Sequence, residues 1–327
     1  MKIRLLLLPL LLGCAFTASA EDPGNADMNA RVNLAAANAP GDLLSDAYLV
    51  PMIDLVLEAE APGRELDPEL RKSLEQARDE LAQRVDSAAD EVPVGLYTTV
   101  SCMKKGADAR KCSGSRERLA ELAKENGYHH FVLMSMAARR GDDDAFATHG
   151  EKVISAPRFD PDLIPVFASL HARYSQVPDA LWQHPENDYG PEATPGVQAM
   201  AIAAAVVLPG YQPFMQACEK DDAERRALCV AVASRMAERS TVLLDRLIGV
   251  ALIAKIGTPA EQQSARELER EAKWLLASVA HFGSELDDGQ WGRYYELFAS
   301  EGEFAAMRYA AQATGRSLEP PADWQPK

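Results

Sequence analysis

Apolar residues recur along most of this chain at intervals of three and four, the spacing that lines one face of a helix. Leu49, Ile53, Val56 and Leu57 keep that rhythm from Asp46 to about Glu60, and Pro62-Gly63 ends it. Asp67-Pro68 opens a second helix, an N-cap followed by proline at the first helical position. Its thin stripe of Leu70, Leu74, Ala77, Leu81 and Val85 predicts a surface helix with a solvated charged face. Helices resume at Ser115 with Leu119, Leu122 and Ala123, then Phe131, Met134, Ala137 and Ala138 up to Gly141. Asp142-Asp143-Asp144 starts the next, where acidic residues meet the positive end of the helix dipole. Asp160 or Asp162 caps a further helix, with Pro161 and Pro165 before or within its first turn.

The second part of the chain reads the same way. Val197 to Leu208 is almost wholly apolar and predicts a buried helix. Residues 222–238 form an amphipathic one. Val242 to Ile256 is apolar nearly all round, which predicts a central helix with Leu247 and Ile248 both enclosed. Thr258-Pro259-Ala260-Glu261 is a capping box, and Leu268, Ala272, Leu275, Val279 and Phe282 stripe the helix behind it. A last helical stretch runs from about Gly289 to Thr314, with a break near Gly302. Val94 to Val100 has strand-like composition but is too short to make a sheet alone. The expectation is an all-α fold, an irregular antiparallel helical array whose short connections make neighbours into hairpins.

Between the helices the composition shifts. Residues 1–20 carry the pattern of an export signal: Lys2 and Arg4, the apolar run Leu5 to Leu12, and Ala18-Ser19-Ala20 before Glu21. A second reading uses Leu11-Leu12-Gly13-Cys14, which resembles a bacterial lipobox with Cys14 as the acylated residue. Both readings send the chain out of the cytoplasm, to the periplasm in soluble form or to the outer membrane by a lipid anchor. Residues 21–43, rich in Ala, Asn, Asp and Gly, read as a flexible linker. An N-terminal helical half at 44–177 then meets a connecting loop at 178–195, which holds Pro178, Pro185, Gly190, Pro191 and Pro195. A C-terminal helical half at 196–316 and a loose tail at 317–327 complete the organisation.

Charge and cysteine content narrow the class. The chain has 327 residues, 34 Lys plus Arg, 49 Asp plus Glu and a formal charge of −15, which argues against a nucleic-acid partner. Its 47% hydrophobic content argues against disorder. No apolar run reaches the roughly 18–20 residues a membrane span needs, so contact with a membrane would be through Cys14 alone. Five cysteines are present, of which Cys14 is discarded or acylated. Cys102, Cys112, Cys218 and Cys229 remain, an even set that predicts two local disulfides, Cys102–Cys112 and Cys218–Cys229. Zinc would want a tighter C-x₂₋₄-C spacing, which this chain lacks.

The stretch 127–160 resembles a tetratricopeptide-type helical hairpin. Leu133 stands where that motif takes an apolar residue, and Gly141-Asp142 matches its inter-helix turn. Met134 and Phe146 depart from it, each standing where a small residue belongs, and no second copy follows. The resemblance covers about one repeat and implies helical-repeat-like architecture and a protein-binding role.

Chemical motifs are sparse. His129-His130 read as an ordinary partly exposed pair on different faces of a helix, His171 as a packing residue and His281 as a helix-end residue. His149-Gly150-Glu151 lacks the H-E-x-x-H of a metallopeptidase, and no G-x-S-x-G or phosphate-loop signature occurs. Trp182, His184, Glu186, Asp188 and Tyr189 in the 178–195 loop are the one set that mixes aromatic surface, a base and carboxylates, as a small-ligand site requires. No catalytic, metal or cofactor-binding residue is assigned. The expectation is a non-enzymatic scaffold that binds a protein partner in the cell envelope, in one form an acidic inhibitor or immunity protein. The alternative is an envelope-acting enzyme with its site around the 178–195 loop.

Overall fold

The computed structural model describes residues 23–58, 66–86, 109–182, 194–207, 211–220, 222–282 and 285–325. Among these, fourteen α-helices and one 3-10 turn account for the regular structure, and Asn126 and Arg158 form an isolated bridge. The all-α, irregular helical array is as expected. None of these helices is long and apolar enough to cross a membrane. The chain divides into two compact units that interleave: one takes 1–107 and 165–207, the other 108–164 and 208–327.

The first unit contains α1 (Pro23–Asn38), α2 (Leu43–Glu58), α3 (Pro68–Asp86), α7 (Leu163–Tyr174) from Pro165 onward, the 3-10 turn Asp179–Leu181 and α8 (Thr194–Val207). Helix α1 corrects the linker reading of 21–43. Its Ala30, Val32, Asn33, Ala36 and Ala37 are buried. Alanine is the best helix former, and small side chains let α1 lie close to its neighbours, so low complexity here is packing rather than flexibility. Tyr48, Leu49 and Ile53 of α2, Leu74 and Leu81 of α3, and Phe167, Leu170 and Tyr174 of α7 are nearly or wholly inaccessible and form the core. Asp67 caps α3 through the backbone N–H groups of Glu69 and Leu70, both at 3.0 Å.

One buried cation fastens this unit. Arg173, 1% exposed, donates to Ala36 O at 2.6 Å, Ala37 O at 2.8 Å, Ser45 Oγ at 3.0 Å and Asp46 Oδ1 at 2.5 Å. The guanidinium thus closes the carbonyl end of α1 and meets a carboxylate in the first turn of α2. Next to it, Tyr174 donates its hydroxyl to Asn33 Oδ1 at 2.9 Å.

The second unit contains α4 (Ala109–Leu122), α5 (Gly127–Arg140), α6 (Asp143–Ser155), the start of α7, α9 (Tyr211–Cys218), α10 (Ala223–Arg239), α11 (Leu243–Ile256), α12 (Pro259–Phe282), α13 (Asp288–Glu301) and α14 (Glu303–Ala313). Helices α5 and α6 form the expected hairpin: Gly141 takes a left-handed φ of 71° and Asp142 caps α6 through Ala145 N. Phe131 anchors the packing below, edge-on to Phe214 at 4.9 Å and to Phe159 at 6.1 Å. The Thr258–Glu261 box is present in both directions, Thr258 N to Glu261 Oε2 at 2.7 Å and Glu261 N to Thr258 Oγ1 at 3.4 Å. The last helical stretch does break at Gly302, giving α13 and α14.

Three expectations are corrected in this unit. Among the described residues there is one disulfide, Cys218–Cys229, and not two. The turn from α9 into α10 brings these Cα atoms to 5.8 Å. Cys102 and the Cys112 side chain lie outside the described residues, and position 112 falls within α4 rather than at the end of a polar loop. Helix α11 is not enclosed all round: Leu247 and Ile248 are partly exposed, and Ala251, Ala254 and Lys255 are exposed. Leu247 packs against Leu243, Ala272 and Met307, so that one side of α11 is covered by α12 and α14. The tail is not loose, because Arg270 and Trp274 of α12 hold residues 317–324.

Candidate functional site

Of the loop set singled out in the sequence, only Trp182 is described. It is buried behind the 3-10 turn, edge-on to Tyr174 with ring centroids 6.0 Å apart, as a core anchor would be. His184, Glu186, Asp188 and Tyr189 lie outside the described residues, as do the export signal and Cys14. His129 and His130, read from the sequence as a partly exposed pair, are both buried.

The structure instead assembles polar residues where the start of α5, the turn before α7 and the start of α11 meet. Asn126 caps α5 by accepting from Tyr128 N at 3.2 Å and also accepts from Asp160 N at 3.0 Å. Its amide donates to Asp160 O at 2.8 Å. Asp162 stands two residues on with a left-handed φ of 56°, a conformation that aspartate tolerates better than most residues. That turn aims the Asp162 carboxylate at His129 Nε2, 3.0 Å away, and at Arg158 Nη1, 3.4 Å away. Asp160 in turn accepts from Asp162 N at 2.9 Å and from Thr241 Oγ1 at 3.0 Å.

Thr241 leads into a second carboxylate group at the N-terminus of α11. Ser240 Oγ accepts from Val242 N at 3.1 Å and donates to Asp245 Oδ2 at 2.9 Å. Tyr211 of α9 donates a short hydrogen bond to Asp245 Oδ1. Glu303, the first residue of α14, reaches across to accept from Leu243 N at 2.7 Å. Arg246 donates to Ser240 O at 2.8 Å and lies over the Phe304 ring at 4.4 Å. The free N–H groups of α11 therefore take their acceptors from Ser240 and from a different helix.

Burial sets the electrostatics. Desolvation pushes the Asp245 carboxyl up to about 6 against the pull of its Tyr211 and Ser240 hydrogen bonds. It pushes Glu303 up to about 7, with the Leu243 N–H opposing. The Tyr211 and Tyr128 phenols are driven well above their ordinary value by burial and by Asp245. Two carboxyl groups that hold a proton near neutrality are chemically competent as acids, yet here each also holds a helix end. Among the described residues no group of three or more His, Cys, Asp or Glu could hold a metal ion.

Sequence reasoning missed this cluster because its members arrive from five places along the chain. Asp160 and Asp162 were legible only as helix-cap residues, and nothing near Ser240 and Asp245 announces Tyr211 or Glu303 as partners. The cluster has a thermodynamic signature. A carboxyl whose folded pKa is raised contributes stability that is present below its unfolded value and lost as pH rises through the folded one. For Asp245 and Glu303 that window runs from about 4 to about 7. Glu303→Gln keeps an acceptor for Leu243 N–H but no longer titrates. The wild-type melting temperature should therefore drop more between pH 5 and pH 8 than that of Glu303→Gln, by about 2–6 °C on the usual scale for chains of this size. Parallel pH profiles in the two proteins, followed by calorimetry, would show that Glu303 is charged throughout.

Comparison with known proteins finds no matching family model, no matching curated protein and no matching solved structure. Fold and site define the class, an all-α helical array with a polar cluster that fastens helix ends.

Proposed function

We propose that this is an exported protein, periplasmic or anchored to the outer membrane, that acts by binding another protein of the cell envelope through the outer faces of its helical array. An inhibitor or immunity role is one form of that activity, suited to an acidic chain meeting a basic partner. The observation that carries the reading is the Cys218–Cys229 disulfide, which suits an oxidising compartment and agrees with the export pattern of residues 1–20. The hairpin architecture supports the binding role, because helix pairs present broad exposed faces while their titratable groups serve as internal fasteners.

Fractionation and cross-linking test the two parts. The full chain should appear in the periplasmic or membrane fraction, with Cys218 and Cys229 resistant to alkylation until reduced. A photoreactive residue at exposed Ala254 or Ala277 should give a discrete adduct with an envelope protein. Cytoplasmic protein with alkylatable Cys218 and Cys229 would end the export reading. The lack of an adduct from any exposed position on α10 to α12 would end the binding reading.

A further inference from the structure

The segment after α14 lies against α12. Helix α14 closes with Gly315 in a left-handed φ of 68°, and the N–H groups of Gly315 and Arg316 return to Gln312 O at 3.1 Å and Ala311 O at 2.7 Å. This turn sends the chain back over the molecule, where Arg316 pairs with Glu285 at 2.7 Å. Two local turns then shape the segment: Ser317 Oγ donates to Glu319 O at 2.8 Å, and Trp324 N donates to Pro321 O at 2.9 Å. Pro320 and Pro321 between them lack N–H donors and restrict the backbone.

What α12 recognises is mostly main chain. Arg270 donates to Trp324 O at 3.2 Å, to Pro320 O at 3.4 Å and, by a short bond, to Pro321 O. The Trp274 indole N–H donates to Ser317 O at 3.1 Å. One side chain adds selectivity: Trp324 stands edge-on to Trp274, centroids 5.4 Å apart at 77°. Pro321, Ala322 and Asp323 remain exposed, and Trp324 is only partly covered. A guanidinium fork and an indole that bind carbonyls and an aromatic ring make a surface that takes a short proline-containing turn by its main chain and one ring. The segment seated there is held by its ends and one ring, without core burial.

We propose that the Arg270–Trp274 face of α12 is a docking surface for a turn-forming, proline-containing peptide segment with a tryptophan, carried by a partner protein, and that residues 317–325 occupy it in cis as a releasable strap. The inference rests on the protein-binding reading above and names the partner's chemistry. The tail states that chemistry because it is itself a bound example. Tethering gives it an effective concentration on the order of millimolar, so a partner peptide meets a largely occupied surface and its apparent affinity is lowered by the occupied fraction.

The test uses the full chain and a fluorescent peptide of residues 316–327, read by anisotropy. Trp324→Ala loosens the strap and should bind the peptide about tenfold more tightly than the wild type. Adding Trp274→Ala should abolish that binding. If this double variant does not fold, Arg270→Lys in the Trp324→Ala background replaces it and should weaken the peptide about fivefold, since lysine lacks the fork. Equal binding by wild type and Trp324→Ala, or binding that survives the loss of Trp274, overturns the proposal. So does a wild-type dimer that Trp324→Ala dissolves, which would make the surface a site for tail exchange between copies. Peptide binding without any envelope adduct would sink the binding reading and leave the surface standing; adducts unaltered by Trp274→Ala would do the reverse.

Discussion

Replacing Arg173 by methionine should destabilise the first unit by roughly 3–5 kcal/mol, the range for breaking a buried ion pair from one side. The side chain is 1% exposed, and its removal strands the Asp46 carboxylate, the Ala36 and Ala37 carbonyls and the Ser45 hydroxyl at once. Asp46 keeps a second cation, Arg84 at 2.7 Å, but that side chain is 50% exposed and cannot replace a desolvated partner. Arg84→Met therefore serves as the control and should cost about 1 kcal/mol or less. Against a usual total of about 5–15 kcal/mol, the Arg173 loss is large. Denaturant midpoints measure both variants, and hydrogen exchange should report faster opening at Ala36 to Ala39, where α1 loses its fastening. Equal midpoints for the two variants would mean that Asp46 is satisfied by Arg84 alone.

Gly249→Ala should be a damaging single-methyl addition in the second unit. A Cβ at this position would stand 2.5 Å from Ala233 O, 2.9 Å from Ala237 N and 3.1 Å from Met236 Cβ. The first two are backbone atoms of α10, so no rotamer change can relieve the contact and the two helices must separate. Overpacking of this kind costs about 1–3 kcal/mol, and here the helix-propensity gain of alanine over glycine offsets only about 1 kcal/mol. Gly292→Ala isolates that gain, since a Cβ within α13 would meet nothing within 4 Å. It should stabilise by about 0.5–1 kcal/mol. Thermal midpoints moving in opposite directions are the expected result; a shift of the same sign would refute close packing of α10 on α11.

Helix identity was determined by local sequence to a large degree. The Thr258–Glu261 box, the Asp67 and Asp142 caps and the Gly302 break all rest on bonds between residues at most a few positions apart, so periodicity and capping residues suffice to read them. Composition misled where burial decides. Ala, Asn and Asp in 21–43 looked like a linker, but α1 forms because Ala30, Ala36 and Asn33 find neighbours to bury against. The apolar circumference of α11 suggested full enclosure, yet Leu247 and Ile248 are covered only in part because neighbours cover one side of the helix. The disulfide shows the same division: local spacing suffices for Cys218–Cys229, while among the described residues no second bridge joins it. Asp245 with Tyr211, Glu303 with the start of α11, Arg173 with α1 and Trp324 with Trp274 were set by tertiary structure alone. Their partners lie 34 to 137 positions apart in the first and third cases, and a hydrogen bond over such a separation leaves no periodic trace in the chain. It exists only when packing brings both groups out of water, where each must find the other to offset its lost hydration.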